Sequence, residues 1–140
     1  MTASSETVVR MVFGLQEDYF YKKAKETLTS SEYTVAASSD RMGCRLDGPS
    51  LRHKKAREIV SDGIVLGAVQ VPPDGKPIVM LADRATVGGY PKLGTVIGAD
   101  IPRLAQLMPG ERLRFEAVDL AQAAEVLRAV RRAQEKARKV

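Results

Sequence analysis

The sequence has one cysteine, one histidine and no tryptophan, and these shortages exclude several classes of protein. The single thiol, Cys44, cannot form an internal disulfide or a four-cysteine zinc site. The single histidine, His53, excludes a histidine-based triad or a multi-histidine metal centre, and its basic surroundings predict a solvated ring. No apolar run approaches the roughly 20 residues of a membrane span, and the first residues lack the pattern of a secretory signal. We therefore expect a cytoplasmic protein with no metal site and no membrane partner.

The chain is basic, but its excess positive charge lies at one end. The formal net charge is +5, and residues 126–140 alone carry six cations against one carboxylate. The preceding 125 residues are balanced, with 16 cations and 16 carboxylates. Cations at the end of a helix complement its dipole, and few aromatic side chains are available to stack on bases. A solvated basic helical tail at residues 126–140 therefore explains the charge better than a nucleic-acid partner does.

Short strands separated by turn residues dominate the rest of the chain. Thr7–Phe13 (TVVRMVF) is rich in β-branched residues and predicts a strand. Met42, Cys44 and Leu46 alternate with polar or small residues, so we expect all three to lie on one buried face and Cys44 to be a core thiol rather than a nucleophile. The run Pro-Pro-Asp-Gly at residues 72–75 separates two apolar stretches and predicts a hairpin.

Two longer helices are expected beside these strands. Residues 16–28 have helical composition, and a second helix should begin at Asp119, with Gln122 completing a capping box. Its apolar stripe, which includes Leu120 and Leu127, should dock on the sheet. These elements predict a mainly β barrel or sandwich with two flanking helices, in a single domain spanning residues 1–140.

Polar residues at the turns are the candidates for chemistry, since no phosphate-binding loop or nucleotide fingerprint is present. Three cations, Arg41, Arg84 and Lys92, suit a phosphate or carboxylate, and the backbone at Gly88 and Gly89 is open to an anion. Asp40 or Asp83 can orient a base or a metal-bound nucleotide. Each residue also has a structural explanation. Ser39 and Asp40 can cap a turn, the two glycines can supply a positive φ, and Lys92 can be solvated.

Residues 39–49 (SDRMGCRLDGP) resemble the SDRMGxRLxGP signature of the family that contains the C component of 5-oxoprolinase. This family is also called KipA, allophanate hydrolase subunit 2 or the biotin-dependent carboxyltransferase family. The resemblance continues through residues 67–72 (GAVQVP) and 88–92 (GGYPK) and covers roughly residues 8–125. It implies a cyclophilin-like β-barrel, in agreement with the number of predicted strands.

The resemblance also implies a function within a complex. The C component works with a KipI-like B component and an A component to convert 5-oxoproline to glutamate with ATP. The complex would bind ATP and magnesium, and no cofactor is expected for this chain alone. Arg41 and Lys92 would hold anionic groups and Asp40 would orient Arg41, which makes these three the implied catalytic residues. The implied substrate- or nucleotide-binding residues are Ser39, Gln70, Thr86, Gly88, Gly89 and Tyr90.

The chain departs from the family in length. Family members are about twice as long, and the Gln-Asp-x-Gly-Arg type motif of their first half is absent here. We therefore expect a C-terminal half that needs its N-terminal half as a partner and that can associate with a second copy. Two other functions stay open: a non-catalytic KipA-like module that binds a KipI-like partner, and a carboxyltransferase domain of a urea or amide carboxylase.

Overall fold

The computed structural model describes residues 7–14 and 16–138, and strands are its main elements. In chain order the strands of these residues are β1 (Thr7–Phe13), β2 (Glu32–Val35), β3 (Gly43–Asp47), β4 (Asp62–Gly63), β5 (Ala68–Gln70), β6 (Ile78–Met80), β7 (Val87–Gly88), β8 (Lys92–Val96) and β9 (Arg112–Ala117). Seven of them form a closed barrel in the order β1-β8-β5-β6-β3-β2-β9. Neighbours are antiparallel except β9 and β1, which run parallel and close the barrel. The predicted mainly β barrel is confirmed.

β4 and β7 form a separate two-stranded sheet, called the flap below. The predicted hairpin at residues 72–75 joins β5 to β6, and the Gly75 N–H donates to the Pro72 carbonyl at 2.9 Å. That prediction is confirmed.

The α-helices of the described residues are α1 (Lys22–Ser30), α2 (Ile101–Ala105) and α3 (Leu120–Arg138). The helix predicted at residues 16–28 is wrong at its start. Only Glu17–Tyr19 form a short 3-10 turn, and the chain is extended at Phe20 and Tyr21 before α1 begins. The reason is tertiary: Phe20 forms an isolated β-bridge with His53 and is 3% exposed, so its burial overrides local helical propensity.

The core lies inside the barrel. Of the three side chains that the alternation along β3 predicts to be buried, two are buried and one is not. Cys44 and Leu46 are buried, as expected. Met42 is 51% exposed because β3 begins one residue later, at Gly43. The predicted burial of Met42 is therefore wrong. The largest fully buried side chains include Tyr33, Lys92, Phe115, Met11, Leu28 and Leu46.

β1 and β8 pack so closely that one position between them must be glycine. A Cβ atom placed on Gly94 would lie 2.5 Å from the carbonyl oxygen of Val12 and would also overlap the Met11 side chain. A backbone oxygen cannot move aside without breaking the β1–β8 ladder. This pairing holds the barrel wall next to the candidate site described below.

A buried ion pair fixes the 3-10 turn at Gly98–Asp100 to β1. The Asp100 carboxylate accepts hydrogen bonds from the backbone N–H, Nε and Nη2 of Arg10 at 2.8, 2.9 and 2.7 Å. Arg103 Nη2 lies 3.2 Å from the same carboxylate. Burial raises the pKa of Asp100, but the hydrogen bonds and charge of Arg10 outweigh it, so the pKa lies below its usual value. This carboxylate is fully compensated and therefore structural.

α3 begins as predicted but does not pack as predicted. The capping box is confirmed: Asp119 Oδ1 accepts from the Gln122 N–H at 2.7 Å, and Gln122 Oε1 accepts from the Asp119 N–H at 2.8 Å. No described α3 residue is buried, and Leu120 and Leu127 are 76% and 45% exposed. The predicted docking of the apolar stripe on the sheet is therefore wrong.

Candidate functional site

A cleft of about 470 Å³ opens beside β3, β5 and β6. Three of the predicted site residues line it, namely Asp40, Gln70 and Tyr90. The cleft is also lined by charged side chains of both signs, with Arg45 and Lys76 beside Asp47 and Asp74. The structure therefore brings part of the predicted constellation to one surface.

Gln70 and Lys92 are directly opposite each other on β5 and β8. The register shifts between Val69 and Gln70, because Val69 is opposite Gly94 while Gln70 is opposite Lys92. Such an irregularity re-aims side chains and is frequent near functional sites. Two predicted site residues that are 22 positions apart in sequence thus become neighbours.

Both of these side chains hold a buried polar atom without a hydrogen-bond partner. Within residues 7–14 and 16–138, Gln70 Oε1 and Lys92 Nζ are the buried side-chain nitrogen and oxygen atoms that lack one. Gln70 is 7% exposed and Lys92 is 0% exposed, so the predicted alternative of a solvated Lys92 is wrong. Withdrawing an ammonium from water costs several kcal/mol of solvation free energy, and only a nearby opposite charge and hydrogen bonds can offset this cost. Natural interiors rarely leave such groups unpaired, so this pair requires an explanation.

The flap lies against this pair. Asp62 of β4 has its Oδ2 at 3.8 Å from Lys92 Nζ, which is too long for a hydrogen bond. On β7, a Cβ placed on Gly88 would lie 2.7 Å from Ile64 Cδ1 and 3.3 Å from Gln70 Oε1. Glycine at position 88 therefore allows the flap to approach Gln70 closely.

Gly88, in the flap, and Gly89, which follows it, do not adopt a left-handed backbone conformation. In the part of the chain that the structure describes, the positive-φ glycines are Gly67, Gly75 and Gly110. The predicted alternative of a positive φ at Gly88 and Gly89 is therefore wrong. Gly89 uses its carbonyl to accept the Ile59 N–H at 2.7 Å.

The loop before β3 is held by its own side chains. Asp40 Oδ1 accepts from the backbone N–H groups of Met42 and Gly43 at 2.9 and 3.2 Å. Ser39 Oγ bridges the N–H and carbonyl of Arg45 at 2.9 and 3.0 Å. The turn-capping alternative for Ser39 and Asp40 is therefore what their hydrogen bonds support.

Arg41 does not meet Asp40 as expected. Its Nε lies 3.3 Å from Asp83 Oδ2, and its side chain is 87% exposed. The predicted orientation of Arg41 by Asp40 is wrong, because the Asp40 carboxylate bonds to the following backbone. Arg41 and Ser39 line a neighbouring cleft of about 450 Å³.

Thr86 is exposed on the chain leading into the flap, where its carbonyl accepts the Ile64 N–H at 2.9 Å.

The prediction missed some residues near the site. Asp62, whose carboxylate approaches Lys92, lies in a Ser-Asp-Gly run that reads only as a turn. Arg45 and Lys76 line the cleft, although alternation along β3 already indicated that Arg45 points away from the core. His53 is half-buried rather than solvated, since its Nε2 lies 2.9 Å from the Val71 carbonyl oxygen.

Other candidate chemistries find little support in the described residues. Burial raises the pKa of the Cys44 thiol to about 11, and the side chain is 3% exposed, which confirms the prediction of a core thiol. In the ranges described, no group of three or more His, Cys, Asp or Glu side chains is placed to hold a metal ion. None of the described helices is both long and apolar enough to cross a membrane.

Residues 1–117 match the protein family described as the carboxyltransferase domain, subdomain A and B. The chain belongs to this family. Among its relatives, the C component of 5-oxoprolinase from Haemophilus influenzae is 42% identical over 121 residues, and the protein of the same name from Escherichia coli is 36% identical over 115 residues. These alignments cover 86% and 82% of this chain but 39% and 37% of the relatives. The chain thus spans about two fifths of their length.

Urea amidolyases are more distant relatives. The protein from Lachancea kluyveri is 28% identical over 109 residues, which is 70% of this chain and 6% of that protein. The crystal structure of the K. lactis urea amidolyase is similar with a TM-score of 0.84 at 21% identity, over 97% of this chain and 9% of that one. At this level of identity the similarity concerns the fold, and it agrees with the barrel described above.

Proposed function

We propose that this chain forms part of a protein of the 5-oxoprolinase C type, within an ATP-dependent complex that converts 5-oxoproline to glutamate. The similarity to two curated C components of 5-oxoprolinase supports this assignment. Its partners would be a KipI-like B component, an A component and the polypeptide that corresponds to the remaining three fifths of those relatives. The compartment that we propose is the cytoplasm.

The observation that carries the proposal is a pair of unpartnered atoms on facing residues of β5 and β8, namely Gln70 Oε1, whose residue lines the cleft, and Lys92 Nζ, which is buried behind it. 5-Oxoproline offers a lactam N–H, which needs an acceptor such as Gln70 Oε1. It also has a carboxylate and a lactam oxygen that becomes more negative during ring opening, and both suit the ammonium of Lys92. A positive charge that is already positioned in a site without water stabilises such a developing negative charge far more than the same positive charge would in water.

We assign ATP and its magnesium to the complex rather than to this cleft. Its lining has carboxylates from Asp40, Asp47 and Asp74 beside the cations Arg45 and Lys76. The carboxylates oppose the charge of a bare triphosphate, and among the described residues no group of three or more His, Cys, Asp or Glu side chains is placed to hold its magnesium. This division supports the expectation that the isolated chain binds no cofactor.

The test uses the complete complex, reconstituted from this chain, the A and B components and the remaining part of the C component. The measurement is ATP hydrolysis that depends on 5-oxoproline. Lys92→Met keeps the length of the side chain and removes the charge, and we expect a loss of about 100-fold or more in kcat. The exposed Lys23→Met is the matched control and should retain full activity.

Stability separates a functional role of Lys92 from a structural one. Replacing a poorly compensated buried charge by an apolar side chain is often neutral or stabilising. Lys92→Met should therefore unfold at the same or a higher urea concentration while losing activity. Wild-type activity in Lys92→Met, or a loss of activity explained by unfolding, would contradict the proposed role.

A carboxyltransferase acting on urea is the second candidate, favoured by the similarity to urea amidolyase. Urea has N–H donors for Gln70 but no carboxylate for Lys92, so the pair suits 5-oxoproline better. Stimulation of the complex by urea and not by 5-oxoproline would reverse this order. A stable complex with the B component but no turnover with either compound would favour the KipA-like regulatory module.

A further inference from the structure

A groove of about 700 Å³ separates the first two turns of α3 from the barrel. Its lining is almost entirely apolar and includes Phe13, Leu66, Ile97, Ile101, Leu120 and Leu127. Leu66, Leu120 and Leu127 are each at least 40% exposed. Contiguous apolar surface of this kind marks an interaction site on a protein that is otherwise well solvated.

The charges along the adjoining segment are divided between two halves. Residues 119–127, which are the cap and the first two turns of α3, carry two carboxylates, Asp119 and Glu125, and no cation. Residues 128–138 carry five cations and one carboxylate. Glu125 contacts Arg128 and Arg132 at 2.7 and 3.4 Å within the same helix. For the other three cations, Arg131, Lys136 and Arg138, the described residues provide no ion pair.

The second half of α3 does not contact the groove of its own chain. The α3 residues that line the groove end at Leu127, and all described residues beyond it are exposed except the half-buried Val130. Its small apolar residues, Val130, Ala133 and Ala137, are spaced three and four apart and so form one helical stripe. Such a stripe lets another helix or a groove wall approach closely.

We propose that α3 pairs antiparallel with α3 of a second copy of this chain, in a two-fold symmetric dimer. The cationic half of each helix then lies beside the end of the other helix that carries Asp119 and Glu125, and the two helix dipoles oppose each other. Each stripe of small residues enters the apolar groove of the other copy. One contact thus covers the apolar grooves of both copies and brings the cations of each helix near the carboxylates of the other. The proposal does not depend on the activity proposed above.

The groove fixes the register of this pair. If the groove beside residues 120–127 holds residues 130–137 of the second copy, Leu120 lies opposite Ala137 and Leu127 lies opposite Val130. The two-fold axis then passes between residues 128 and 129. Val130 is offset from its own symmetry mate by about 4.5 Å along the helices, whereas Leu120 is offset from its mate by about 25 Å.

Analytical ultracentrifugation of the intact chain tests the association. We expect a species of twice the 15.2 kDa monomer mass, and a monomer for Leu127→Glu. Leu127→Met is the matched control and should stay dimeric. Because Leu127 is exposed, neither change should alter the circular dichroism of the fold. A monomeric wild type, or a dimer that survives Leu127→Glu, would overturn the proposal.

Cross-linking tests the direction of the pair. With a short bifunctional thiol reagent, Val130→Cys should yield covalent dimer and Leu120→Cys should not. The native Cys44 is buried and serves as the internal negative control. Equal cross-linking at both positions indicates parallel helices and would overturn the antiparallel arrangement, as would dimer from Leu120→Cys alone.

Discussion

Asp100→Asn tests how strongly the buried ion pair with Arg10 holds the barrel. The substitution keeps the size of the side chain and removes the charge of a carboxylate that is 2% exposed. Two side-chain hydrogen bonds from Arg10, at 2.9 and 2.7 Å, lose their charged acceptor. A hydrogen bond to a charged group contributes about 1.5–3 kcal/mol, and removing one partner of a buried ion pair costs about 3–5 kcal/mol.

The exposure of Arg10 sets the expected value within this range. Its side chain is 31% exposed, so water can solvate the guanidinium again after the substitution. We therefore expect a loss of about 3 kcal/mol in the free energy of unfolding, at the lower end of the range for buried pairs. Urea unfolding followed by circular dichroism measures this loss, with an unchanged slope on urea concentration.

A solvated ion pair of the same chain provides the control. Lys76 and Asp47 are separated by 3.5 Å, with side chains 51% and 56% exposed. Asp47→Asn should change the stability by less than about 1 kcal/mol, since exposed pairs contribute little. If Asp100→Asn is no more destabilising than Asp47→Asn, the reasoning from burial and hydrogen-bond number fails.

The pH dependence provides a second readout. A carboxylate whose pKa is lower in the folded state adds stability above its unfolded pKa of about 3.9 and loses it as pH falls through the folded pKa. The difference between the wild type and Asp100→Asn should therefore be constant near neutral pH and shrink below about pH 4. A difference that grows on acidification would contradict the assigned direction.

Three further predictions concern packing and buried ionisable groups. Gly94→Ala should lower stability by about 3 kcal/mol or more, because its Cβ would lie 2.5 Å from the Val12 oxygen, whereas Gly98→Ala has no atom within 4 Å and should be tolerated. Cys44 should react with a maleimide only as fast as the protein opens, and rapid labelling of the folded chain would refute its burial. Burial raises the pKa of Tyr33 to about 12, so stability should fall as pH rises from about 10 towards 12, and Tyr33→Phe should lack this contribution in alkaline unfolding.

Local sequence signals predicted the elements whose contacts are local. The Asp119–Gln122 capping box and the turn at residues 72–75 involve groups three residues apart, so their patterns contain all the information required. The start of α1 was missed because Phe20 pairs with His53, which is 33 positions away. The exposed stripe of α3 was missed because amphipathicity indicates an apolar contact but not which chain supplies it.

In the candidate site too, the sequence indicates which residues take part, but not which of them become neighbours. The polar character of the turns and the family resemblance together selected Gln70 and Lys92, but only the register of β5 and β8 makes them neighbours and buries both. No periodicity in the sequence predicts the shift that places Lys92 opposite Gln70. Conversely, Arg41 looked suited to an anion by its charge, and the structure pairs it with Asp83 on the surface.

Asp100 and Lys92 are both buried and ionisable, but the folded chain compensates their charges to different extents. Asp100 has three hydrogen bonds from Arg10 and a second cation at 3.2 Å. Among the described residues, the ammonium of Lys92 has one half-exposed carboxylate at 3.8 Å and no hydrogen bond. A protein kept stable by both groups would lose stability when either is neutralised. We expect Asp100→Asn to lower the stability and Lys92→Met to leave it the same or higher, because the folded chain supports the charge of Lys92 so little, and this contrast is what the binding role proposed for Lys92 requires.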